Sequence, residues 1–504
     1  MVLMNNDLPP LIQALLEPQR YPGGVRQVDW VQTHISWVLL AGDFAYKIKK
    51  PLKMAFLDFS TLALRQICCA DELRLNRRFA PDLYLDVVPI CNTPQDPQFG
   101  GQGPPIEYAV KMRRFDEAGR LDRVCARGEL RPKHLSDLAI TLVAFHQATA
   151  IAPLSSRFGS ALGIMAPARD NFHDLLRLLT PTDVQTRLQS LRNWTEDQFN
   201  RLAPLMDARK QSGRVRECHG DLHLANLVLI GERVRMFDCI EFNEDLRWID
   251  VASEIAFTYV DLLAHAQPGL ANWFVDEVLS RSGDYEAARL LQFYVVYRAL
   301  VRAKVAALRA DQKHTDNTEA LVYIALAEQL VAPTPKTLLI THGLSGCGKT
   351  IASNHWLQSD RHTATLRLRS DVERKRLFGL ASTERMASST LNELYAADAH
   401  VRTYNHLREL AEMLLRNGWS VIVDAAFLKR ADRTVFRVLA RDTGAAFGIL
   451  APQATPEQLR DRIQARMALG NDASDATLNV LTQQMHAIEP LEANELHEIQ
   501  VKPA

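Results

Sequence analysis

Residues 343 to 350 read Gly343-Leu344-Ser345-Gly346-Cys347-Gly348-Lys349-Thr350, and they directly follow the apolar run Thr337-Leu338-Leu339-Ile340. A strand that feeds a glycine-rich turn and then a helix builds a phosphate cradle. Gly343, Gly346 and Gly348 let the backbone close into a nest of N–H donors, to which Leu344, Ser345 and Cys347 belong. Lys349 is placed to reach β/γ-phosphates, and the Thr350 hydroxyl is of the type that ligates Mg²⁺. The octapeptide is therefore expected to bind a nucleotide.

More than a hundred residues upstream a second set of groups has phosphoryl-transfer spacing. Residues 219 to 226 read His-Gly-Asp-Leu-His-Leu-Ala-Asn, and Asp238 follows twelve residues after Asn226. Between them the apolar runs 227–230 and 234–237 flank Gly231-Glu232-Arg233, a hairpin pattern that returns Asp238 to Asn226. Kinase-type chemistry needs an Asp to orient the attacking hydroxyl, with an Asn and a second Asp to hold the metals that bridge the phosphates. Asp221, Asn226 and Asp238 are the candidates. His219 and His223 are read as hydrogen-bonding scaffold residues of this loop.

This part of the chain resembles the aminoglycoside phosphotransferase family, whose catalytic loop has the same His-Gly-Asp-x-x-x-x-Asn form. The resemblance implies a bilobal, α+β, protein-kinase-like fold that uses ATP and Mg²⁺. One departure is plain: no Gly-x-Gly-x-x-Gly precedes the lysine strand, so any loop covering the phosphates is of another kind.

The elements that must position these groups follow from periodicity. Residues 30–50 alternate as strands broken at Gly42-Asp43, and the second strand ends in Ala45-Tyr46-Lys47-Ile48-Lys49-Lys50. Ala45, Lys47 and Lys49 share one face of that strand. Lys47 is favoured as the phosphate-binding lysine, a solvated lysine cluster being the alternative. Helical spacing from Leu62 to about Arg78 carries Glu72 as its candidate partner, with Asp71 competing. Ile106 to Phe115 is expected to be the strand leading to an interlobe hinge, residues 92–105 a mobile turn, and residues 131–150 and 285–310 core helices. Asp250 opens another helical stretch, either as an N-cap or as the residue that ties down the catalytic loop.

Two prolines in Val331-Ala332-Pro333-Thr334-Pro335-Lys336 interrupt a helical pattern just before the P-loop strand, which sets domains at 1–332 and 333–504. Beyond the P-loop, strand and helix patterns alternate, implying an α/β P-loop domain with a parallel sheet and its site at the strands' C-terminal edge. Asp371 and Asp424 fall on that edge. This half resembles the small P-loop kinases, including gluconate kinase, polynucleotide kinase and zeta-toxin-like enzymes, and Asp371-x-x-Arg374 matches the element that in polynucleotide kinase holds the acceptor hydroxyl. The resemblance makes Asp371 the candidate base, with Arg374 beside it. Asp424 would hold metal through water or orient the acceptor. Arg462 and Arg466, four apart on a helical segment, are placed to close over the transferring phosphate. A strand-end turn for Asp371 and an exposed basic face for the two arginines are the alternatives.

Composition narrows the function further. Among 504 residues, 59 basic side chains balance 59 acidic ones. From residue 337 onward the count is 20 basic against 19 acidic, and before it 39 against 40. Neither half attracts nucleic acid by charge. The seven cysteines show no metal-ligand spacing, the start Met1 to Asp7 lacks a signal-peptide pattern, and no membrane-length apolar run occurs, so a cytoplasmic protein is expected. The expected activity is ATP-dependent phosphorylation of a hydroxyl on a small molecule. The rivals are a regulatory pair, in which the N-terminal domain binds ligand without turnover, and a nucleic-acid 5′-hydroxyl kinase.

Overall fold

The computed structural model describes residues 8–54, 57–360, 364–380, 397–469 and 477–500; Met1 to Asp7, at the start of the chain, lie outside them. The chain divides into two compact units, one made of Met1–Leu130, Ala144–Pro167 and Arg201–Thr258, the other of Arg131–Val143, Ala168–Asn200 and Tyr259–Ala504.

In the first unit a six-stranded antiparallel sheet runs in the spatial order Val28–Gln32, Ser36–Ala41, Phe44–Lys49, Glu107–Arg113, Tyr84–Thr93, Asp96–Phe99. The alternation in strand Phe44–Lys49 decides what each face does. Tyr46 and Ile48 enter an apolar core with Leu39, Ile90 and Ala109, so Lys47 and Lys49 face the other way. Helix Leu62–Asn76 begins at Thr61, whose hydroxyl accepts from the Leu64 N–H. Its buried residues Arg65, Cys69, Glu72 and Asn76 recur at helical spacing and so share one stripe. Arg65 is fastened to Glu107 on the adjacent strand at 2.9 Å. Residues 92–105, expected to be a turn, include strand Asp96–Phe99, paired with Ile90–Thr93. Pro97 obscured it in the sequence, yet the strand lies at the sheet's edge, where a missing N–H is tolerated.

The segment that carries Asp221 and Asn226 leads into a two-stranded hairpin, Leu227–Ile230 with Arg233–Met236. Gly231, at φ 60°, supplies the left-handed backbone that so tight a turn requires.

In the second unit helices Pro268–Ser282, Ala288–Lys313 and Thr318–Val331 accompany a four-stranded parallel sheet in the order Thr365–Arg369, Ser420–Asp424, Thr337–Thr341, Ala446–Leu450. The central strands are apolar on both faces and almost wholly buried, as a helix-covered parallel sheet demands. Among the described residues no helix is long and apolar enough to cross a membrane.

Helix Pro268–Ser282 lies close against helix Lys349–Ser359: a Cβ added to Gly269 would come within 1.8 Å of the Gln358 carbonyl oxygen. Gly269→Ala must therefore displace backbone and should destabilise the protein by about 2 kcal/mol or more. Gly128→Ala, a left-handed position with open space around it, should cost only about 1–2 kcal/mol. Urea unfolding of the two variants checks the contrast, and equal losses would show that the helices can part without penalty.

Candidate active sites

In the first unit the structure brings together five of the residues singled out from the sequence. Lys47 Nζ donates to Glu72 Oε1 at 2.8 Å and also pairs with Asp238. Asn226 Nδ2 donates to the Asp221 carbonyl at 2.9 Å and to Asp221 Oδ2 at 3.3 Å. The hairpin closes as expected from its length, with Phe237 N donating to the Asn226 carbonyl at 3.1 Å. Asp238 then adopts φ 63° and donates its N–H to the Tyr84 hydroxyl at 2.9 Å. Its side chain remains 42% exposed, while Lys47 and Glu72 are buried. Asp71 pairs instead with Arg74 on the helix surface.

Lys49 does not lie on a solvated edge either. It is fully buried between Glu72, at 2.7 Å, and Glu241. Two lysines and two glutamates thus form one buried network, which Asp238 extends toward solvent. Burial would push the Glu72 carboxyl up, but Lys47 and Lys49 outweigh it and hold it below the usual carboxylate range. Burial likewise opposes charge on Lys47, and Asp238 and Glu72 reverse it, raising the ammonium well above its ordinary value.

The loop that carries Asp221 is held by a residue the sequence reading passed over. The N–H groups of His219 and Gly220 both donate to Glu254 Oε1, at 2.6 and 2.9 Å. The other oxygen of Glu254 meets His146 Nε2 at 2.7 Å. Asp250, read as either an N-cap or the tie to this loop, is the N-cap: it accepts from Ala252 N at 2.8 Å and pairs with buried Arg209. The missed signal was an acid in the apolar helix Val251–Ala264, which holds Glu254 and Asp261, since a buried acid must have a partner. Gly220 stands at φ 88°, and a Cβ there would meet the Leu246 carbonyl oxygen at 2.7 Å. His219 is buried, accepts from Asp221 N through Nδ1 and so offers its Nε2 proton to the Phe237 carbonyl. Burial lowers its pKa, which keeps it a neutral scaffold. His223 Nε2 lies 3.3 Å from Asp221 Oδ2. Ligand atoms of His146, Cys218 and Glu254 also lie within 4.8 Å of one another, but both Glu254 oxygens already accept hydrogen bonds from the protein.

In the second unit the P-loop joins strand Thr337–Thr341 to helix Lys349–Ser359. Gly343, Gly346 and Gly348 take φ of 137°, 85° and 104°, values open to glycine and costly for other residues. Lys349 Nζ donates to the carbonyls of Gly343 and Leu344 at 3.0 and 2.8 Å. Cys347 faces inward and packs with Leu459, Ile463 and Leu481. Parallel pairing sets Arg369 level with Asp424, and Asp424 Oδ2 accepts from Ser353 at 3.1 Å. A cavity of about 480 Å³ is lined by Lys349, Thr350 and Asp424 from the strand edge, by Asp371 and Arg374 from one side, and by Arg462 and Arg466 from another. Asp371 and Arg374 pair at 3.2 Å, and Arg462 donates to the Gly346 carbonyl at 3.2 Å. Gln484, unmarked by any motif, accepts from Ser345 N at 2.8 Å.

Residues 69–291 match the model of the phosphotransferase enzyme family, and residues 338–491 match that of an AAA domain. The chain joins an aminoglycoside-phosphotransferase-type domain to a P-loop kinase-like domain. The two matches support a phosphotransferase. Over 454 residues the chain is 29% identical to uncharacterized proteins of Mycobacterium tuberculosis and Mycobacterium bovis, covering 90% of this chain and 88% of theirs. Solved structures similar to it include a choline/ethanolamine kinase family protein from Mesorhizobium loti, at a TM-score of 0.41 and 14% identity over 65% of this chain and 95% of that one. Another is the GDP complex of a mutant aminoglycoside 2′-phosphotransferase, at 0.40 and 16% over 63% and 97%.

Glu254 yields a pH prediction. Burial disfavours its charge, but the His146 hydrogen bond and the loop's N–H groups outweigh this and hold its carboxyl at about 2 against an ordinary 4.5. A depressed carboxyl stabilises the fold above its unfolded value and loses that contribution as pH falls toward the folded one. Glu254→Gln should therefore cost about 3 kcal/mol at pH 7 and less than half of that at pH 3. Urea titration of both proteins at the two pH values checks it; a gap that does not narrow in acid would show that Glu254 is not held ionised.

Proposed function

We propose that this protein is an ATP- and Mg²⁺-dependent kinase with two nucleotide sites, one in each half, that phosphorylates hydroxyl groups of small molecules. The observation that carries this reading is that each unit sets a phosphate-directed cation close to a carboxylate: Lys47 pairs with the exposed Asp238 in one, and Lys349 lines a cavity with Asp424 in the other. The donor sets fit a hard cation, since they offer carboxylate, amide and hydroxyl oxygens. Asn226 and Asp238 would hold Mg²⁺ in the first site, and Thr350, aided by Asp424, in the second. The cation's contribution is to neutralise charge on the phosphate oxygens.

The chain's own residues do the rest. Lys47, aimed by Glu72, binds phosphate oxygens in the first site, and Asp221, half exposed beside Asn226, accepts the acceptor's proton. In the P-loop site the glycine turn presents N–H groups, and Lys349 exchanges the carbonyls of Gly343 and Leu344 for phosphate oxygens. Asp371 accepts the hydroxyl proton there, Arg374 binds the acceptor beside it, and Arg462 and Arg466 offset the charge on the moving phosphoryl group. The lack of a Gly-x-Gly-x-x-Gly motif ahead of Lys47 favours a second reading, in which the first site binds nucleotide without turnover and regulates the other. The even charge balance favours a small acceptor over a polynucleotide, and a cytoplasmic setting suits an ATP-consuming enzyme with unpaired thiols.

Titration of the full chain with a fluorescent ATP analogue and Mg²⁺ should show two sites. Lys349→Ala should remove one and Asp238→Ala the other; an unchanged stoichiometry in either variant refutes that site. With sugars, aminoglycosides, nucleosides and 5′-hydroxyl oligonucleotides as acceptors, Asp371→Asn should keep binding and lose transfer at the P-loop site. Asp221→Asn should keep binding and slow the first site by roughly 10² to 10⁴, or about 3 to 5 kcal/mol of barrier. A first site that binds ATP but turns over no acceptor, with or without Asp221, would establish the regulatory reading instead.

A further inference from the structure

Strand Thr365–Arg369 is the edge of the parallel sheet, with a strand partner on one side alone. On its open side it meets helix Pro268–Ser282, from the same unit. Asn272 Oδ1 accepts from Thr365 N at 3.4 Å, and Asp276 Oδ1 accepts from Arg367 N at 2.6 Å. Asp276 Oδ2 also meets the Arg367 guanidinium at 3.3 Å. The match is one of periods. Residues four apart on a helix rise by about 6 Å, and residues two apart on a strand by about 6.6 Å. A helix bearing acceptors at i and i+4 can therefore satisfy alternate N–H groups of an edge strand, as a neighbouring strand would. All four residues are at most 2% exposed.

The edge strand runs straight into helix Ser370–Leu377, which carries Asp371 and Arg374. That helix divides its charges between two faces. Asp371 and Arg374 line the P-loop cavity. Glu373 and Arg376, which lie on the far side, are held by the upstream segment. Glu373 is fully buried and accepts from the Tyr285 hydroxyl at 2.9 Å. Arg376 donates to the Ser280 carbonyl and lies over the Tyr285 ring, 5.8 Å from its centroid. It fills the space left by Gly283, where a Cβ would come 2.7 Å from its Nε.

We propose that Asp276 and Tyr285 are positioning residues for the acceptor side of the P-loop site, so that the working P-loop unit begins well before the prolines at 333 and 335. Asp276 fixes the height of the edge strand through a backbone N–H, and Tyr285 fixes the rotation of the next helix through Glu373. Together they set where Asp371 and Arg374 stand. The inference rests on the reading of Asp371 and Arg374 as acceptor-side groups, whereas nucleotide binding by the P-loop does not depend on it.

The test uses the full chain in an Asp238→Ala background, which leaves the P-loop site as the one being read, with ATP as donor and water as the acceptor. Tyr285→Phe and Asp276→Leu should lower kcat tenfold or more while KM for ATP stays within about twofold. Asp276→Asn, which keeps an oxygen for the Arg367 N–H, should recover part of the loss. Amide exchange in residues 369–377 should speed up in the same order as kcat falls. Variants that turn over ATP at the parent rate, or that lose ATP binding and turnover together, overturn the proposal. So does faster exchange with unchanged kcat. Asp371→Asn is run beside them: if it leaves turnover intact, the acceptor assignment itself has failed, whereas a low Asp371→Asn rate with normal Tyr285→Phe and Asp276→Leu rates refutes the positioning role alone.

Discussion

Charge taken out of water has to be paired, and that constraint shapes each site in this chain. A phosphotransfer centre needs cations for phosphate and carboxylates for metal within a few ångströms of one another, in a place dry enough for their fields to act. Before ligand arrives, those same groups would be stranded without partners. The first unit answers with a network in which Lys47 and Lys49 share Glu72 and each takes a further carboxylate, Asp238 or Glu241. Of these acids Asp238 is the exposed one. The network is thus closed at the back and open where a ligand would enter.

The P-loop meets the same constraint mainly with backbone. Three glycines in left-handed conformations turn N–H groups inward, and the one required side-chain cation, Lys349, rests on carbonyls of its own loop. Neutral carbonyl partners are surrendered more cheaply than a carboxylate, because no uncompensated charge is left behind. Lys47, in contrast, can leave Asp238 for a phosphate only if something else neutralises that carboxylate. Metal and nucleotide binding should for this reason be more tightly linked in the first site than in the second.

What was legible in the sequence follows the range of the interactions. The P-loop is local, and Asp221, Asn226 and Asp238 are tied by a short hairpin whose turn residues can be read directly. Lys47 and Glu72 are 25 residues apart, yet strand and helix periodicity gave each a face, and the faces meet. The supports were not legible. Glu254 reaches the loop that carries Asp221 from 34 residues away, in a helix whose apolar pattern hides it. Asp276 reaches Arg367 across 91 residues, between segments that a proline-marked boundary set apart. Strand Asp96–Phe99 was masked by Pro97 because position in a sheet, edge or centre, is a tertiary fact. Motif residues are chosen for ligand chemistry that recurs; supporting residues need only satisfy a backbone group, and many residue types at many positions can do so.

The proposed lid, helix Pro456–Leu469, illustrates how support and chemistry combine. Arg462 extends from a helix whose Leu459 and Ile463 pack on Cys347, the inward-facing residue of the P-loop itself. Its guanidinium rests on the carbonyls of Gly346 and Cys347, so the apolar contact anchors the helix while the charged end has only weak, exchangeable partners. An arginine held this way need not travel far to meet a phosphoryl group above Lys349, and its helix need not detach to let it move. The cost of closing such a lid is then chiefly the exchange of two carbonyl contacts for charged oxygens, a step that the greater strength of charge-assisted hydrogen bonds drives forward.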